Sequence, residues 1–184
     1  DGKVDEAAFA ATVRRQVEAG IHFLVPLGTS GETPCLSMAE RQRVLALTRE
    51  NAPGKTLLVG GGTNSLTATL ESMAQLPDAD AYLIVVPYYN KPNQTGLYEY
   101  YKAVAGSTDK PIVIYNVPGR TGTNITAETT LRLAEEIPNI VAVKEASSNY
   151  KQISEIIRCK PAGFSVLSGN DDETLSLMAT GADG

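Results

Sequence analysis

Eight lysines occur in the 184-residue sequence, and only one lies inside an apolar run: Lys144, which closes Ile140-Val141-Ala142-Val143. At a reference pKa of about 10.4, a lysine is neutral to less than about one part in a thousand at pH 7. Burial disfavours the ammonium and lowers that value. A lysine so placed can attack a carbonyl as the neutral amine and form a Schiff base. The competing reading is a structural lysine paired with a carboxylate, Glu145 or another. Imine and enamine steps each move protons, and a tyrosine hydroxyl can both donate and accept them. Tyr115 ends the apolar run 111–115, and Tyr88 and Tyr89 follow the run 81–86. Each of these alone competes with an ordinary core or interface aromatic. Gly28-Thr29-Ser30-Gly31-Glu32-Thr33 joins hydroxyls to glycines that allow backbone amides to converge. Such a nest suits a carboxylate or phosphate, and a plain hydroxyl-rich turn is the alternative. Arg120, in Gly119-Arg120-Thr121-Gly122, can grip a second carboxylate bidentately, or is a surface charge.

Something must bring these residues together. Six apolar runs, at 22–27, 56–59, 81–86, 111–115, 140–144 and 164–167, end in Gly, Pro, Asn or Ser. Their near-continuous apolarity predicts strands buried on both faces. Helical spacing fills the gaps. Phe9, Val13 and Val17 recur every four residues before Gly20, and Ser37-Met38-Ala39-Glu40 reads as a capping box opening a helix that runs to Pro53-Gly54. Further helices are expected at about 65–76, 95–105, 126–136, 150–158 and 171–180. Strand and helix alternate at roughly 25 to 35 residues, which predicts βα units around a parallel sheet. Gly60-Gly61-Gly62 lacks the spacing of a dinucleotide fingerprint and reads as a tight turn after a strand. Polar residues at the strands' C-terminal ends favour a (β/α)8 TIM barrel over a doubly wound sheet, since catalytic groups of barrels gather at that face.

A closed barrel needs eight strands and typically ~250 residues. The expectation is therefore one α/β unit over 1–184, an incomplete barrel of about six βα units. Its first strand, its eighth and its C-terminal helices lie outside the sequence, and Asp1-Gly2-Lys3 shows neither an initiator Met nor a leader pattern. Two unpaired sheet edges predict a free-standing piece that is loosely folded or aggregated.

Composition excludes several functions. The chain is 42% apolar and 20% charged with a net charge of −5 and no basic run, against a nucleic-acid or anionic-membrane surface. No stretch approaches the ~20 apolar residues of a membrane span. Two distant cysteines, Cys35 and Cys159, build neither a disulfide framework nor a thiolate metal site, and an intracellular, cytoplasmic setting follows. The single histidine, His22, sits at the beginning of a strand, opposite the expected site, so no Ser-His-Asp triad and no histidine metal cluster can form. Asp171-Asp172-Glu173 reads as the acidic start of a helix rather than a cation site.

Five segments, G-T-S-G-E at 28–32, V-P-Y-Y-N-K-P at 86–92, Y-N-V-P-G-R-T-G at 115–122, V-K-E-A-S at 143–147 and L-S-G-N-D at 167–171, resemble in order the pyruvate-dependent class I aldolases, the family of N-acetylneuraminate lyase. Arg120 resembles the synthase branch, where an arginine receives the carboxylate of aspartate semialdehyde. The resemblance implies that Lys144 condenses with pyruvate and that Tyr115 relays protons. It implies that Thr29 completes the relay with Tyr89, which would reach into a neighbouring subunit, and that Ser30 binds the pyruvate carboxylate. Pyruvate and L-aspartate 4-semialdehyde are the implied substrates, lysine and diaminopimelate biosynthesis the setting, and a homotetramer of paired dimers the assembly. No cofactor and no metal is implied, because the imine is itself the electron sink. Met38, Arg41 and Ala68 stand where lysine-sensitive members carry histidines or acidic residues, although Asn64 and Tyr88 are retained, so weak or absent lysine inhibition is expected. Two alternatives stay open: a sister aldolase acting on a 2-keto-3-deoxy sugar acid, and a non-catalytic fragment.

Overall fold

Each predicted apolar run forms a strand in the computed structural model, which describes residues 2–184. The strands are β1 (Phe23–Leu24), β2 (Thr56–Gly60), β3 (Ala81–Val85), β4 (Ile112–Asn116), β5 (Ile140–Glu145) and β6 (Ser165–Ser168). The helices are α1 (Glu6–Glu18), α2 (Met38–Asn51), α3 (Leu66–Ala74), α4 (Gln94–Ala105), α5 (Pro118–Thr121), α6 (Ala127–Glu136), α7 (Tyr150–Cys159) and α8 (Thr174–Ala179). Asp1 falls outside the described residues, so the reading of the opening tripeptide is described from Gly2 onward.

Local chemistry sets the helix ends. Ser37 caps α2 by accepting from the Glu40 amide, and the Glu40 carboxylate accepts from the Ser37 amide at 2.8 Å, the capping box read from the sequence. A cap of this kind contributes about 1 kcal/mol. Three corrections concern boundaries. The acidic trio 171–173 precedes α8 rather than opening it, because the chain turns there with the Glu173 amide on the Asn170 carbonyl at 3.1 Å. The short helix α5 was not anticipated; Pro118 supplies a fixed φ at its start and Gly122, at φ 68°, ends it in the left-handed region. The first strand is only two residues long, since the chain bends into the loop after Leu24.

All five strand pairs are parallel and the spatial order is β1-β2-β3-β4-β5-β6, the order of the sequence. A doubly wound sheet would reverse its order at a switch point, so this sheet is part of a (β/α)8 barrel. Side-chain burial agrees. Leu57, Val59, Ile84, Ile112, Ile114 and Val143 pack outward against the helices, whereas Leu58, Leu83, Val113, Tyr115 and Ala142 form a separate inner cluster drawn from the strands and the segments that follow them. After α8 the backbone returns beside β6, with the Asp183 amide on the Val166 carbonyl at 2.9 Å and the Ser168 amide on the Gly184 carbonyl at 2.7 Å.

Two details shape the sheet near the C-terminal ends of its strands. Gly60 is not in a turn but ends β2, and a Cβ there would lie 1.9 Å from the Leu27 carbonyl oxygen. Close backbone approach, not phosphate binding or turn geometry, requires glycine at this point. Between β4 and β5 the register slips: Ile112 faces Ile140, but Val113 faces Ala142. Val141 is the extra residue of a β-bulge, and both Val141 and Ala142 pack toward the inner cluster.

Candidate active site

Side chains alternate across a strand, so a one-residue slip exchanges the two faces of everything beyond it. Without the bulge at Val141, Lys144 would point outward among the helices. With it, Tyr115 and Lys144 are cross-strand partners on the inner face. The Lys144 Nζ lies 4.4 Å from the centre of the Tyr115 ring. Burial pulls the Lys144 amine below the ordinary lysine value, and the charge of Asp171 opposes that shift. Among the described residues no carboxylate is ion-paired with Lys144. The pairing with Glu145 weighed from the sequence does not occur: Glu145 turns to the opposite face, where its Oε1 accepts from Asn116 and Gln152.

A cavity of about 280 Å³ opens over this pair. Thr29, Ser30, Tyr115, Arg120 and Lys144 all line it, five of the six site residues expected from the sequence. Thr29 and Ser30 arrive on a 3₁₀ turn, Thr29–Gly31, which follows Gly28 in the loop after β1. The Gly31 and Glu32 amides bond back to the Gly28 and Thr29 carbonyls at 3.0 and 3.2 Å. A 3₁₀ turn leaves its first amides, here those of Thr29 and Ser30, without an internal acceptor. The loop's glycines do not supply a left-handed bend: Glu32 takes that conformation at φ 50°. Arg120 comes from α5, whose Pro118 start and left-handed Gly122 stop point it at the same rim.

Tyr89 stands apart. Its side chain is 87% exposed, its φ is 72°, and it lines neither this cavity nor the next. Tyr88 instead lines an adjoining cavity of about 510 Å³, which shares Gly28, Thr29, Tyr115, Val117 and Arg120 and reaches Arg41. The Arg41 guanidinium there donates to the carbonyls of Thr33 and Leu36 at 2.9 and 3.1 Å. Lys55 and Lys110 bond to the carbonyls of Ile21 and Ala79, each at 2.7 Å, on the opposite end of the sheet, and exposed His22 lies there too.

Four wall residues escaped notice as site residues: Val25, Val117, Gly169 and Asn170. Asn170 is held by Ser148 Oγ at 3.2 Å and by a Glu173 carboxylate oxygen at 2.9 Å. Its position just after a strand's C-terminal end was the available signal.

The chain matches the model of the Dihydrodipicolinate synthetase family over residues 1–184. It is 47% identical to the 4-hydroxy-tetrahydrodipicolinate synthase of Phocaeicola vulgatus, covering 100% of this chain and 63% of that one. It is 50% identical to the protein of the same name from Koribacter versatilis, covering 100% and 62%. The crystal structure of dihydrodipicolinate synthase from Thermotoga maritima superposes with a TM-score of 0.97 at 42% identity, over 100% of this chain and 64% of that one. The chain therefore spans a little less than two thirds of the length of these relatives. A matching family model over every residue, similar relatives and a shared fold agree that the chain belongs to the dihydrodipicolinate synthetase family.

Proposed function

We propose that the protein condenses pyruvate with L-aspartate 4-semialdehyde to give 4-hydroxy-tetrahydrodipicolinate, in lysine and diaminopimelate biosynthesis. The observation that carries this reading is the half-buried Lys144 amine, without a carboxylate partner among the described residues and set against Tyr115 in a cavity. The neutral amine adds to the C2 ketone of pyruvate, and the carbinolamine loses water to leave an imine. Loss of a C3 proton converts the imine to an enamine, whose C3 then bonds to the aldehyde carbon, and the aldehyde oxygen takes up a proton. Attack of the substrate's amino group on the imine carbon closes the ring and frees Lys144. Tyr115 is the proton carrier in this scheme, with Thr29 beside it.

Ser30 and the free amides of its turn suit the pyruvate carboxylate, and Arg120 suits that of the semialdehyde. No step in this scheme calls on a metal or organic cofactor. Tyr89, exposed on its own chain, would complete the relay of a neighbouring copy, and a homotetramer belongs to the same proposal. So does a cytoplasmic setting; the free thiols of Cys35 and Cys159 agree with it, and among the described residues no helix is long and apolar enough to cross a membrane. Arg41, already occupied by two backbone carbonyls, goes with weak or absent lysine inhibition, and strong inhibition at sub-millimolar lysine in a titration overturns that part.

The test is reductive trapping. Pyruvate and borohydride are expected to leave a stable adduct on Lys144, located by peptide mass. Consumption of pyruvate with aspartate semialdehyde, and not with a 2-keto-3-deoxy sugar acid, is expected to follow. No adduct, or an adduct on another lysine, overturns the reading.

A further inference from the structure

The residues that follow Tyr115 and Lys144 are Asn116 and Glu145, and they too are cross-strand partners, on the outer face. Both are fully buried. The Asn116 Nδ2 donates to Glu145 Oε1 at 3.0 Å, and Gln152 of α7 donates to the same oxygen at 3.0 Å. Neither donor depends on Glu145 alone: Asn116 also donates to Asn124 Oδ1 at 2.9 Å, and Gln152 to the Ile125 carbonyl at 3.1 Å. A carboxyl buried without a cation is costly, so its presence here calls for a task. Its Oε2 finds no hydrogen-bond partner of good geometry among the described residues.

The slipped register supplies the task. Ile140-Val141-Ala142-Val143 is apolar at every position, so hydrophobic burial hardly distinguishes the bulged pairing from the regular one. Beyond that run the two registers differ entirely, for one buries a carboxyl outside and turns an amine inward, and the other does the reverse. Buried polar groups are best attested as devices that specify register. We propose that Glu145, gripped by Asn116 and Gln152, is a positioning residue that holds the bulged register of β5 and so keeps Lys144 facing the cavity. Burial also raises the Glu145 carboxyl above the ordinary value, against the lowering effect of Ser147, Asn116 and Gln152. A carboxyl drawn toward its neutral form puts less negative charge beside the Lys144 amine. The charged groups that remain around that amine are Asp171 after β6 and Arg120 on α5.

The proposal rests on the Schiff-base reading, and trapping on the full-length protein separates the two. The wild type should give a Lys144 adduct with pyruvate and borohydride; its absence defeats the Schiff-base reading and the proposal with it. Given that adduct, Glu145→Gln, which keeps the acceptor oxygen, should trap at the wild-type rate with the same pH midpoint. Glu145→Leu should trap between about tenfold and a hundredfold more slowly per folded molecule, the range a misplaced reacting group costs. Its pH midpoint should also move. Gln152→Met, further from the cavity, should slow trapping in the same direction by less, and it decides the matter if the leucine variant does not fold. Folded Glu145→Leu with wild-type rate and midpoint, Gln152→Met indistinguishable from wild type, or Glu145→Gln as slow as Glu145→Leu would each overturn the proposal.

Discussion

The inner and outer faces of the β4–β5 pair are built from neighbouring residues and behave as opposites. Inward, Tyr115 and Lys144 meet across 4.4 Å beside a cavity, and the amine has no ion-pair partner among the described residues. Outward, Asn116 and Glu145 are enclosed by α7 and the segment before α6, and amide donors converge on one carboxyl oxygen. Burial acts on both faces, lowering the lysine and raising the glutamate, so each group is drawn toward its neutral form. Only the inner one is open to a small molecule. The contrast is between a polar group left without an ion-pair partner beside a cavity and a neighbour given partners where nothing small can enter.

Removing the inner amine should have the largest effect. Lys144→Ala is expected to abolish the pyruvate adduct, and trapping that persists on another residue would remove the basis of the contrast. Next, Tyr115→Phe should slow the chemical step by about 10²- to 10⁴-fold, the usual yield of a positioned proton carrier, with pyruvate still bound. A drop confined to binding, seen as a changed KM with constant kcat, would assign Tyr115 to packing instead. Smaller is Arg120→Ala, for which KM for the semialdehyde should rise about 10- to 100-fold, as for the loss of a charged hydrogen bond. Its pyruvate trapping should match the wild type, and a parallel loss of trapping would place the arginine in the pyruvate subsite.

Smallest is the outer face. The folded protein holds a proton on Glu145 at pH values where the unfolded chain has released it, because the native carboxyl is raised. Stability from this group is therefore full below the unfolded carboxylate value and is lost as pH rises through the raised one. Glu145→Gln cannot ionise and should flatten that decline, leaving the variant more stable at neutral pH by a few degrees of melting temperature, at about 2–4 °C per kcal/mol for a chain this long. Melting curves of the two proteins across pH check this; parallel curves would mean the glutamate is ionised in both states.

Much of this arrangement could be read before any coordinates. The strands emerged from apolar runs, the α2 start from Ser37 and Glu40, and Lys144 from being the one lysine inside such a run. The loop 28–33 does form a turn, yet which residue would bend left-handed was not legible, since Glu32 rather than a glycine does so. Asn170 escaped because its place just after a strand's end singles it out as a wall only once that strand is paired with its neighbour. Gly60 misled for a related reason: its lack of a side chain answers to the Leu27 carbonyl, distant in sequence.

Periodicity, caps and composition are properties of contiguous residues, and from them alone the sequence determined the βα alternation, the order of elements and the candidate amine. The face on which that amine lies was decided elsewhere. Alternation guarantees that Lys144 and Glu145 point to opposite sides, but which is which depends on the pairing of β5 with β4, and one extra residue at Val141 reverses the answer. Such pairing exists only once strands far apart in the chain have met, so the choice between a reactive inner lysine and an inert outer one belongs to the tertiary structure.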